Sequence, residues 1–213
     1  MKKFRKILSV VSAAVICTLP AINGFSASAA TVNNFDTYRF YFDVNANSGV
    51  AVCSMTFKYS AGAIKAGGDP FKVGNLGDSL HSGGGREFGT AYYKNDNGNI
   101  YDAGTLFTLT IGTEGYVWNH LTSFKFSVMD ENNNTLNQSL VKVSTVLVGD
   151  SNDDGKVDNN DVTAIYNYLT NPGLYPLNSY RGADTNRDGI VDFTDAVNIY
   201  NYLNGELEGF YKL

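Results

Sequence analysis

The stretch Asp150 to Asp161, DSNDDGKVDNND, returns 34 positions later as Asp184 to Asp195, DTNRDGIVDFTD. In both copies oxygen-bearing side chains stand at positions one, three, five, nine and twelve: Asp150, Asn152, Asp154, Asp158 and Asp161, then Asp184, Asn186, Asp188, Asp192 and Asp195. Gly155 and Gly189 occupy position six, where the chain must turn sharply and a Cβ is costly. The backbone carbonyl of position seven, Lys156 or Ile190, adds another hard oxygen. This is the spacing of an EF-hand-type calcium loop, and two copies imply two Ca2+ ions. Clusters of Asp, Asn and Gly also build ordinary turns, but repetition in register counts against that reading.

Charge points the same way. Nine of the chain's 21 acidic residues lie in the two loops, against Lys156 and Arg187 of opposite sign. Without a cation these carboxylates repel at close range. From Asp150 to Leu213 there are 64 residues (213 − 150 + 1) and no cysteine. A segment this small needs a staple, so loss of calcium is expected to unfold residues 150 to 213 while the preceding domain stays folded.

Each loop feeds a helical pattern. Val162, Ile165, Tyr166 and Leu169, then Ala196, Ile199, Tyr200 and Leu203, recur at i, i+3, i+4, i+7. No entering helix precedes Asp150, because the run Leu140 to Val148 is β-branched and strand-like. This duplicated loop-then-helix resembles the type I dockerin over residues 149 to 205, a module that plugs secreted proteins into cellulosome scaffolds by binding a cohesin. The resemblance implies a cohesin partner read by loop positions ten and eleven and by the exiting helix. On this chain those are Asn159, Asn160, Tyr166 and Asn167, then Phe193, Thr194, Tyr200 and Asn201. From the residues alone, Tyr166 and Tyr200 could equally pack the two helices together.

Lys2, Lys3, Arg5 and Lys6, the apolar run Ile7 to Leu19 and the small residues Ser26 to Ala30 form a three-part secretory signal, residues 1–29, with cleavage after Ala29. The mature chain is then 184 residues (213 − 29) with net charge −9 (12 − 21), which excludes nucleic acid as a natural partner. With no bilayer span after the signal, an extracellular protein attached to a cellulosome-type complex through its partner is expected. Cys53 is the single cysteine left, so no internal disulfide forms. Alternation places it inward with Met55 and Phe57.

Residues 30 to 148 read as all-β. Strands are expected at Thr37 to Val44, Val50 to Tyr59, Phe88 to Lys94, Thr105 to Ile111, Ser123 to Met129 and Leu140 to Val148. Asn97-Gly98 signals a hairpin back through Ile100 and Tyr101, and Gly67-Gly68 and Gly83 to Gly85 signal long loops. The fold class is therefore an all-β sandwich of jelly-roll type, followed by a small all-α calcium module at 149–213. Phe40 to Tyr59, Gly104 to Ile111 and Phe124 to Val148 are similar to the strand order of a cohesin. That implies an adaptor that could itself take a dockerin.

Tyr92, Tyr93, Tyr101 and Trp118 leave a second reading, a sugar-stacking platform that binds plant polysaccharide, although aromatics in a β domain more often fill its core. A small polysaccharide-degrading enzyme is the third. His81 and His120 sit in no ligand or triad pattern and read as exposed loop residues, and Glu87, Glu114 and Glu131 mark no catalytic pair. The sequence therefore reads as non-catalytic.

Overall fold

In a computed structural model of the chain, residues 34–60, 62–67, 70–76, 79–84 and 87–213 are described. The stretch read as a secretory signal, residues 1–29, lies outside them. Among the described residues nine strands run in chain order: β1 (Asp36–Val44), β2 (Val52–Tyr59), β3 (Ile64–Lys65), β4 (Phe71–Val73), β5 (Ser79–Gly84), β6 (Phe88–Lys94), β7 (Gly104–Thr113), β8 (Leu121–Met129) and β9 (Val141–Leu147). They form two antiparallel sheets. One has the order β3-β7-β1-β9 with β4 also on β7, and the other has β5-β6-β2-β8. The six strands expected from alternation are all present.

Alternation works because each sheet sends every second side chain into the space between them. Phe40 and Phe42 of β1, Phe107 of β7, Cys53 and Met55 of β2 and Tyr93 of β6 meet there, each at most 2 % exposed. The Phe42 and Phe107 rings stack with centroids 4.2 Å apart. Cys53 is a structural thiol, and burial pushes it up to about 12.

Two local expectations fail. Asn95 to Gly98 does turn, with Gly98 at φ 90°, but Ile100 donates its N–H to the Val50 carbonyl (2.8 Å) instead of starting a strand against β6. β6 already has β5 on one side and β2 on the other, so neither edge was free to pair. Gly83 and Gly84 belong to β5 and pair with Thr90 and Gly89 of β6, where a Cβ on Gly84 would come within 2.9 Å of the Phe88 carbonyl.

The second module contains α1 (Asn159–Thr170), α2 (Tyr180–Ala183) and α3 (Phe193–Leu203). Ile165 of α1 and Ile199 of α3, both fully buried, close an apolar cluster with Val148, Val191, Tyr202 and Phe210. Phe210 comes from the C-terminal tail and packs on Tyr202 at 4.8 Å. α2 had no sequence counterpart, since four residues are too few to show a period.

The outer face of the sheet containing β1 is covered. β1 and β7 are buried on both faces, so the outward row Thr37, Arg39, Thr108 and Thr110 is no more than 8 % exposed. Arg181 of α2 grips Asp43 of β1 with two bonds, Nη1 to Oδ2 at 2.6 Å and Nη2 to Oδ1 at 3.0 Å, and lies 4.0 Å above the Tyr41 ring. The tail adds further bonds: Phe35 N–H donates to the Glu208 carbonyl (2.8 Å), and Tyr211 N–H donates to Thr37 Oγ1 (3.3 Å). The Tyr211 ring lies where a Cβ on Gly112 would have to be, 2.3 Å away.

Candidate calcium loops and helix faces

Both loops are shaped by carboxylates that accept backbone N–H groups. Asp150 accepts from Asp154 N (3.1 Å) and Gly155 N (2.8 Å), Asn152 Oδ1 accepts from Asp154 N (2.9 Å), and Asp154 Oδ1 accepts from Lys156 N (3.0 Å). The second loop repeats this. Asp184 Oδ2 accepts from Gly189 N (3.1 Å), Asn186 Oδ1 from Asp188 N (3.0 Å), and Asp188 Oδ1 from Ile190 N (2.8 Å). Gly155 and Gly189 have φ of 84° and 86°, the left-handed region expected for position six. Position four is left-handed too, with Asp153 at 60° and Arg187 at 65°, which the sequence pattern did not reveal.

Positions nine and twelve have a further task. Asp158 caps α1 and Asp192 caps α3, each closing a capping box with the position-twelve carboxylate. Asp161 is fully buried and accepts from Ser151 N (2.8 Å) and Asp158 N (2.8 Å); Asp195 matches it with Thr185 N (2.8 Å) and Asp192 N (2.9 Å). These four residues thus join each loop to its helix. The shorter Asp at position twelve suits this, because its oxygens reach the first turn of the helix it opens.

Whether the loops suit a hard cation can be judged from the donors. Burial pushes the Asp150 carboxyl up to about 7, with the neighbouring Asp161 charge adding to it and backbone N–H groups opposing. Asp161 and Asp184 are also raised by burial, with the Arg39 charge opposing the rise at Asp184. Asp184 Oδ1 is buried without a hydrogen-bond partner. Among the described residues no three Asp, Glu, His or Cys groups converge as an all-acid or His/Cys metal site would require. The loop donors instead alternate carboxylate, Asn amide oxygen and backbone carbonyl, all hard. Buried acid, an orphaned oxygen and all-oxygen donors fit calcium.

The expected partner residues fall on two outward faces. Asn159, Asn160 and Tyr166 on α1, and Phe193, Thr194 and Tyr200 on α3, are exposed, while Asn167 and Asn201 are half-buried. Tyr166 and Tyr200 point away from the helix contact, at 58 % and 56 % exposure; Tyr202 and, half-buried, Tyr168 are the helix tyrosines that pack on the apolar cluster. Val197, exposed between Phe193 and Tyr200, joins them in an apolar stripe that α1 answers with the polar Thr163. Sequence reasoning passed over Val197, although its i+4 and i−3 spacing to its neighbours was readable.

The β-sandwich offers no four-ring platform. Tyr93 is in the core with its hydroxyl on the Leu76 carbonyl (3.2 Å), and Trp118 packs edge-on against Phe40 at 5.6 Å, so only Tyr92 and Tyr101 face out. His120 is half-buried with Nε2 2.8 Å from the Glu114 carbonyl, and His81 lies on β5 facing solvent. Across the open sheet His81, Tyr92, Ser54 and Ser127 stand in one row.

Arg39 and Arg181 were missed altogether. No signal could have found Arg39, because an Arg on the polar side of an alternating strand looks solvent-facing.

Residues 148–204 match the family model of the dockerin type I domain. No curated protein matches the chain. Among solved structures, a non-cellulosomal cohesin from the hyperthermophilic archaeon Archaeoglobus fulgidus is similar at 14 % identity and a TM-score of 0.35, covering 49 % of this chain and 75 % of its own. Among the described residues no helix is long and apolar enough to cross a membrane. With its two loop-and-helix repeats falling inside the matched span, the chain carries a dockerin type I domain at residues 148–204, behind an antiparallel β-sandwich.

Proposed function

We propose that the protein is a secreted, non-catalytic component of a cellulosome-type assembly, in which residues 149–213 bind a scaffold cohesin in a calcium-dependent way and residues 30–148 act as a cohesin-like adaptor. The observation that carries this is the coincidence of the dockerin match with two oxygen-lined loops that each cap an exposed helix face. Two Ca2+ ions would be held by Asp150, Asn152, Asp154, the Lys156 carbonyl and Asp161, and by Asp184, Asn186, Asp188, the Ile190 carbonyl and Asp195, with Asp158 and Asp192 serving chiefly as helix caps. The bound cation supplies the positive charge that lets these carboxylates stay close.

The exposed faces of α1 and α3 are assigned to the cohesin, and the apolar stripe Phe193, Val197 and Tyr200 favours α3 as the anchor. Any partner of the adaptor is assigned to the open sheet, the row from His81 to Ser127, since the other sheet's outer face is covered by the chain's own second module. Calorimetry against a panel of scaffold cohesins, in calcium and in chelator, tests the main reading. Binding to at least one cohesin that disappears in chelator is expected, and binding to none, or binding indifferent to calcium, would refute it.

A further inference from the structure

The two loops are alike in sequence and unlike in what holds them. In the first, the Ser151 carbonyl at position two accepts from Ser179 N (3.1 Å), and the Asn152 carbonyl accepts from Asn178 Nδ2 (2.7 Å). Both donors belong to the dockerin itself. In the second, the matching Thr185 carbonyl accepts from Arg39 Nη2 (3.0 Å) and the Asp184 carbonyl from Arg39 Nη1 (2.6 Å), while the Arg187 carbonyl accepts from Lys72 Nζ. These donors come from β1 and β4 of the sandwich. Among the described residues no carbonyl of the first loop accepts from a sandwich side chain; its bond to the sandwich is the local one from Asp150 N–H to the Leu147 carbonyl at the end of β9 (3.3 Å).

Arg39 is 1 % exposed, and its planar fork is aimed by Nε on Thr110 Oγ1 (3.2 Å) and Nη1 on the Tyr41 hydroxyl (3.3 Å). A guanidinium out of water needs acceptors along its whole edge, and here two consecutive loop carbonyls supply them. Its charge also faces the acidic loop that a departing cation would leave unbalanced. Beyond the loop, the same repeat is tied down by Tyr202, Phe210 and Tyr211.

We propose that the β-sandwich holds the second calcium loop, and only the second, through Arg39 as a positioning residue. Removing calcium then loosens the first loop and α1, while the second loop, α3 and the C-terminal tail stay seated on the sandwich. This rests on the reading of both loops as calcium sites, and it replaces a collapse of all of residues 150–213 with a half-release.

Amide hydrogen exchange on the full mature chain, in calcium chloride and in EGTA, tests it. EGTA should lower protection across residues 150–170 by about tenfold or more, leaving residues 184–203 within about threefold. Arg39→Lys keeps the charge but gives up the fork, and Thr110→Val removes one of the two bonds that aim it. Each should cost residues 184–203 about tenfold in protection in EGTA, with protection restored when calcium is returned. Equal losses in both loops of the unaltered chain would overturn the proposal and leave the calcium reading intact. No loss in either loop would overturn both. Unchanged protection of residues 184–203 in both variants would remove Arg39 from the role.

Discussion

The first repeat of the dockerin and the second are near copies along the chain, yet the carbonyls of one loop are held from within the module and those of the other by side chains of the sandwich. Asp150 and Asp184 open matching patterns and both accept the N–H of the position-six glycine. What differs is the neighbour: dockerin backbone at Ser179 for the first, the buried guanidinium of Arg39 for the second. Duplication therefore creates similar local geometry in unlike surroundings, because each copy inherits whatever the rest of the chain packs against it.

The largest way to break this comparison is to hollow out each repeat at its matched isoleucine. Ile165→Ala and Ile199→Ala should each cost about 2–5 kcal/mol, since both side chains are fully buried. If the second repeat is joined to the sandwich, Ile199→Ala should lower the midpoint of the sandwich's own thermal transition and Ile165→Ala should not. Calorimetric scans showing equal shifts would erase the distinction.

Arg181→Ala acts on the seam itself. Its side chain is 42 % exposed, so solvent weakens the pair, but the two bonds to Asp43 and the Tyr41 stacking should still make the loss about 1–2 kcal/mol. Denaturant titration should then show the two modules separating into distinct transitions. A single unchanged transition would mean that the pair is ornamental.

Binding gives a sharper contrast. Phe193→Ala on α3 should weaken cohesin affinity by about tenfold or more, while Asn159→Ala at the matching place on α1 should change it by less than about threefold. The apolar stripe is the reason, and calorimetry with the two variants decides it. The reverse ranking would move the anchor to the first repeat.

The smallest effect is a control for likeness. Gly155→Ala and Gly189→Ala both force a Cβ into left-handed backbone, and each should cost about 1 kcal/mol in calcium. Chemical denaturation should find the two nearly equal, and a marked inequality would show that the sandwich alters even the turn of the second loop.

Much of this fold was legible because its signals are local. Period-two runs such as Tyr38, Phe40, Phe42 and Val44 identify strands with one face in a core, and the loop donors need only correct spacing within twelve residues. The hairpin at Asn97-Gly98 was misjudged for a nonlocal reason, since the turn is real and the strand it promised had no edge left to join. Tyr166 and Tyr200 fit the apolar spacing of their helices and still face out, because α1 and α3 bury a narrower stripe centred on Ile165 and Ile199.

By itself the sequence determined the two carboxylate-shaped loops, the helices they open and the inward rows of the sandwich, all of which depend on contacts a few residues apart or on a strict period. Only the tertiary structure decided that Thr37, Arg39, Thr108 and Thr110, polar and outward by pattern, are buried beneath the second module. Alternation tells which side chains share a face; it carries no information about what distant part of the chain will cover that face. The partners of Arg39 lie 145 and 146 positions away, and a polar residue destined for water is spelled the same as one destined for a buried carbonyl.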